Sequence, residues 1–107
     1  MTPRSEPLMG VYRFQFEEKV PLEEAEMTLH LATFAAEGLF GQARVRLETS
    51  YFVDGPRRTI SVDGTTEVGA AVVRIFTGLV IREFGEEAFD ICRVGACPAA
   101  NTEKLAT

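Results

Sequence analysis

The chain has 107 residues, 46% of them hydrophobic and 25% charged, with 11 Lys and Arg against 16 Asp and Glu for a net charge of −5. That length suits one domain over residues 1–107 with its own core, and the composition, that of an ordinary soluble globular protein, indicates neither a disordered chain nor a membrane protein. The acidic balance argues against general affinity for nucleic acid or anionic lipid, both of which depend on clustered Lys and Arg.

The opening MTPRSEPLMG has no apolar stretch of the kind a secretory signal carries, and no apolar run nears the roughly 20 residues of a bilayer span. A cytoplasmic location is therefore expected. From Gly10 the stretch VYRFQFEEKV alternates, with Tyr12, Phe14 and Phe16 on one side and Arg13, Gln15 and Glu17 on the other, the period of a half-buried strand. Pro21 suits the first position of a helix, Glu23 and Glu24 suit its positive end, and good helix formers follow until the helix stops between Gly38 and Gly41.

QARVRLETSYFV alternates again, placing Ala43, Val45, Leu47, Tyr51 and Val53 on one side and Arg44, Arg46 and Glu48 on the other, and is expected as the second strand. Asp54, Gly55 and Pro56 make a turn into RRTISVD, a third strand with Ile60 and Val62 inward, so the two strands form a hairpin. Asp63, Gly64, Thr65 and Thr66 supply cap chemistry for a second helix, EVGAAVVRIFTGLVIREF, ending near Gly85. AFDICRV is the last strand. The core spans about 10–94, and the small, polar tail over 95–107 is expected to be loosely held.

This order, β-α-β-β-α-β, predicts a ferredoxin-like α+β sandwich, a four-stranded antiparallel sheet with two helices on one face. Right-handed crossovers put the first and third strands in the middle. A fold of this kind hosts many activities, so function has to be sought in the surfaces.

On the first helix, residues placed at about 100° intervals give an inward stripe of Leu22, Ala25, Leu29, Ala32, Ala36 and Leu39. Met27, Leu31 and Phe34 point nearly the opposite way. The second helix repeats the pattern, with Val68, Val72, Ile75, Phe76 and Leu79 inward while Val73, Val80, Ile81 and Phe84 lie to the side or behind. Full burial of Met27, Leu31 and Phe34 is worth roughly 5 to 8 kcal/mol, and association costs an estimated 4 to 15 kcal/mol. A two-fold pair counts the patch twice and becomes favourable. The candidate interface is thus Met27, Leu31, Phe34, Val73, Val80, Ile81 and Phe84.

The opposite sheet face is polar. The alternation sends Arg13, Arg44, Arg46 and Arg57 there, with Gln15, Thr59 and Ser61 and the acids Glu17, Glu48 and Asp90. Guanidinium groups bind carboxylates and phosphates bidentately, so these four arginines are a candidate anion site.

Other chemistry is thin. His30, the sole histidine, lies one helical turn after Glu26 and on the flank of Glu37, and reads as an exposed residue paired with Glu26. No HExxH or CxxC motif is present, and no metal or cofactor is expected. Cys92 and Cys97 have neither thioredoxin nor zinc spacing and are expected as reduced thiols, Cys92 on the open face near Arg44 or Arg57. DGTTEVG lacks the Lys of a P-loop and reads as ordinary capping. Base-stacking domains show aromatics on the open sides of their first and third strands, whereas here RRTISVD has none and the first strand uses its three in the core.

The sequence therefore predicts a small, non-enzymatic binding or assembly module that associates with itself, or with another protein, through its helices. An anion-binding or enzymatic domain using the open sheet face is the alternative, and single-stranded nucleic-acid binding the third. No membrane partner is expected.

Overall fold

The computed structural model describes residues 10–94. The expectations for the opening segment before Gly10, for the tail after Val94 and for Cys97 lie outside the described residues. The elements are β1 (Val11–Phe16), α1 (Leu22–Phe40), α2 (Gln42–Glu48), β2 (Tyr51–Asp54), β3 (Thr59–Asp63), α3 (Glu67–Phe84), a single 3-10 turn at Glu86–Ala88, and β4 (Phe89–Arg93). The architecture is α+β, one four-stranded sheet with three helices. Its strand order is β2-β3-β1-β4, every neighbouring pair antiparallel, and β1 and β3 are central as the crossover rule requires.

Register assigns the faces. Phe14 stands opposite Ile60 on β3 and Ile91 on β4, and Ile60 stands opposite Val53 on β2. Directly paired residues share a face, so Tyr12, Phe14, Phe16, Tyr51, Val53, Ile60 and Val62 look one way. The helices lie on that side, since Phe76 of α3 meets Phe14 edge-on at 4.7 Å between ring centroids and His30 of α1 meets Tyr51. Phe89 stacks on Phe14 at 6.0 Å, and these rings with Leu29, Val68 and Val72 form the buried centre.

The second strand departs from its expectation. Gln42–Glu48 is helical and only Tyr51–Asp54 is strand. Ala43, Val45 and Leu47 alternate with arginines, but only Val45 is buried, whereas Leu47 stands in solvent. One helical turn separates Arg44 from Glu48, which Arg44 reaches through Nε and Nη2, both at 3.1 Å. Gly41, at φ 91 and ψ 151, breaks α1 from α2 in a backbone region that is essentially confined to glycine.

Leu39, expected in the inward stripe, is exposed. It lies beyond Ala36, the last residue that α1 buries. On α3 the buried arc is wider than a single stripe, because this helix packs against the sheet and against α1 at once. Thr28 of α1 donates to the Glu83 carboxylate of α3 at 2.8 Å, which ties the start of one helix to the end of the other.

Candidate functional site

The helical surface is the first candidate. Met27, Leu31 and Phe34 are 66%, 54% and 70% exposed, as their position on the outward side of α1 implies. Ile81 joins them as a partly exposed residue of α3. Val73 and Val80 do not: both are buried, Val80 completely, and Phe84 is half-buried against the core. The wider buried arc of α3 takes in the side of the helix that a single-stripe reading leaves outside. What remains is a surface centred on α1, with a shallow groove toward α3 lined by Met27, Leu31 and Thr28 and rimmed by Glu24 and Glu83.

Gly38 belongs to this surface, although composition gives no reason to choose it. Met27, Leu31, Phe34 and Gly38 follow a 4-3-4 spacing, the seam along which one helix packs on another. Among the described residues a Cβ on Gly38 would meet nothing within 4 Å, so none of them requires glycine there.

The open sheet face is the second candidate, and the structure separates its four arginines. Arg13 and Arg57 line one depression of about 200 Å³ with Gln15, Thr59, Ser61 and Phe52. Arg44 and Arg46 sit on α2, away from it, because their segment is helical rather than a strand. Arg44 is occupied by Glu48 and, at 3.3 Å, by Glu67 of α3, and it lies 5.2 Å from the Phe40 ring centre. Hydrogen bonding to Glu48 first and Glu67 second raises its pKa further above an already basic value.

Arg57 pairs loosely with Asp54, Nε to Oδ2 at 3.7 Å, and its backbone N–H donates to Asp54 Oδ1 at 3.3 Å. Among the described residues no ion pair engages Arg13. Phe52, 65% exposed, was not singled out by sequence reasoning, yet alternation with Tyr51 and Val53 was enough to place it on this side. Arg58, a half-buried residue at φ 57, serves the scaffold: its guanidinium donates to the carbonyls of Glu17 and Val20.

His30 is exposed, 3.9 Å from Glu26 as expected, and its Nε2 also shares a hydrogen bond of 2.9 Å with Tyr51 Oη. Burial, then the negative charge of Glu26, pushes the Tyr51 phenol up from its ordinary value. Cys92 lies on the open face directly opposite Arg13, and it is disulfide-bonded rather than reduced. In DGTTEVG, Thr66 caps α3 by accepting from Gly69 N at 2.8 Å, and Asp63 Oδ1 accepts from Thr65 N at 2.9 Å, so these two amide donors are engaged within the turn. Among the described residues no group of three His, Cys, Asp or Glu could hold a metal ion, and no helix is long and apolar enough to cross a membrane.

Comparison of the chain with protein-family models, with curated proteins and with solved structures gives no match in any of the three.

Proposed function

We propose that this protein is a small, non-enzymatic assembly module that pairs with a second copy of itself through the outward face of α1. The observation that carries the reading is the exposed seam of Met27, Leu31, Phe34 and Gly38 at helix-packing spacing. In an antiparallel two-fold pairing centred between Ala32 and Thr33, Met27 falls opposite the partner's Gly38 and Leu31 opposite the partner's Phe34. Large then meets small at the ends, and the two bulkiest residues pack near the axis. Gly38, an expense in a solvent-facing helix, has a use in this arrangement because it lets the facing Met27 approach the backbone.

At their observed exposures the three side chains offer roughly 3 to 5 kcal/mol per protomer, and twice that in a symmetric pair. Set against an association cost of about 4 to 15 kcal/mol, this supports a concentration-dependent dimer rather than an obligate one. Ile81 adds at the margin.

We also read the architecture as ferredoxin-like, with α2 as an extra helix of about two turns before the second strand. Support comes from the element order and from the central placement of β1 and β3. Nucleic-acid binding is not part of the proposal, since the aromatics of β1 are committed to the helical side. Cytoplasmic residence, expected from the sequence, is set against the disulfide at Cys92, because reducing compartments hold thiols reduced.

The test is molar mass by light scattering over a dilution series, for the natural chain and for Phe34→Glu. The reading requires the natural chain to rise toward twice the protomer mass with concentration and the variant to stay monomeric. A natural chain that remains monomeric at the highest concentration, or a variant that associates equally well, overturns it.

A further inference from the structure

We propose that the open face of the sheet binds a small aromatic monocarboxylate, its ring against Phe52 and its carboxylate on Arg13. This site lies on the side of the sheet away from the helices and does not rest on the self-association reading. Register sets its geometry: Cys92, Arg13, Ser61 and Phe52 stand in one row across β4, β1, β3 and β2. With strands about 4.8 Å apart, the backbones of Arg13 and Phe52 are separated by about 10 Å, and only the short side chain of Ser61 lies between them. Two large side chains flanking a small one make a trough rather than a flat surface, and its volume is about 200 Å³. Gln15, Thr59 and Asp54 form the adjacent row and close one end.

The charges choose the ligand. Of the two guanidiniums that line the trough, Arg13 has no ion pair among the described residues, whereas Arg57 shares its charge loosely with Asp54 at 3.7 Å, which leaves about one uncompensated positive charge. One available planar cation suits a single carboxylate, which it takes bidentately. Asp54 and Asp90 on the same face repel a second negative charge, so phosphate dianions and nucleic-acid backbones are disfavoured. Phe52 supplies the other half of the recognition. Its ring is 65% exposed, and an aromatic partner packs on such a ring at centroid separations of about 4.5 to 7 Å, a distance the trough can span. Ser61 and Thr59 contribute polar side chains to the same lining.

Benzoate is the probe, titrated into the full chain and followed by backbone amide shifts, with inorganic phosphate titrated in parallel. Saturable benzoate shifts in the millimolar range are expected at Arg13, Ser61 and Phe52. Arg13→Gln should weaken binding about tenfold or more, the size of one charge-assisted hydrogen-bond loss. Phe52→Ala should weaken it several-fold, and Ser61→Leu should abolish it by filling the trough with Arg13 still in place. The Phe34→Glu variant should bind as the natural chain does. Absence of saturable shifts overturns the proposal, as does benzoate binding that survives both Arg13→Gln and Ser61→Leu. Phosphate binding as tight as benzoate, or indifference to Phe52→Ala, overturns the ligand class.

Discussion

Thr28 and Glu83, 55 residues apart in the chain, are joined by a hydrogen bond of 2.8 Å from a buried hydroxyl to a carboxylate. The same hydroxyl is 3.0 Å from the Glu24 carbonyl one turn earlier in α1. Thr28 thus fixes how α1 lies against α3. Replacing it with Val keeps the shape and removes the donor, while Glu83, which is exposed, regains water. Thr28→Val is expected to lower stability by about 1 kcal/mol in urea unfolding, with the slope of the transition unchanged.

The two sets of candidate interface residues separate under mutation. Val80 is fully buried and Phe34 faces solvent. Val80→Ala should cost about 2 kcal/mol, from lost burial and the cavity left behind. Phe34→Ala, measured on dilute protein, should change unfolding stability by less than about 0.5 kcal/mol. Equal losses at the two positions would place Phe34 in the fold and not on a free surface.

Two glycines in and after the same helix should respond to alanine with opposite signs. Gly41 holds φ 91 and ψ 151, a conformation that costs a residue with a Cβ about 1 to 3 kcal/mol. Gly38 is helical and open to solvent on its Cβ side, so Gly38→Ala should raise protomer stability by about 0.5 to 1 kcal/mol. Light scattering on the same variant adds a second readout: the gain in stability should accompany weaker dimerisation, since the added methyl stands where the partner's Met27 would pack.

Tyr51 offers a pH-dependent readout. Burial and the nearby Glu26 favour the neutral phenol in the folded state, so its folded pKa exceeds the ordinary value of 10.0. The unfolded chain then loses this proton first as pH rises. The associated stability is complete below about pH 10 and is lost as pH climbs through the folded value. Phenolate absorbance in a Tyr12→Phe background should report a midpoint above 10, and Glu26→Gln should move it down without removing the contribution of burial.

Much of this architecture was legible in the sequence, for identifiable reasons. Tyr12, Phe14 and Phe16 alternate with polar partners over a full strand, and α1 and α3 each run for several turns at one period. Gln42–Glu48 departs from its expectation because seven residues are too few to separate alternation from helical spacing when polar residues, Gln42, Arg44, Arg46 and Glu48, occupy every second site. There the discriminating signals were the Arg44–Glu48 separation and the glycine before it. Val73 and Val80 were misassigned for a different reason: periodicity gives the direction of a helix's apolar side, whereas the width of the buried arc depends on how many neighbours pack around it. The trough at Ser61 depends on cross-strand register, which alternation within single strands cannot supply.

The break at Gly41 also acts as a length regulator. A single helix running from Leu22 to Glu48 would extend about 40 Å, whereas α1 alone covers about 28 Å and strands of four to six residues span no more than about 20 Å. Uninterrupted, the helix would carry the chain well past the end of the sheet, and Tyr51 could not come back beside Val62. One left-handed residue folds the surplus back over Val45, so the span from β1 to β2 can carry more residues than the sheet is long.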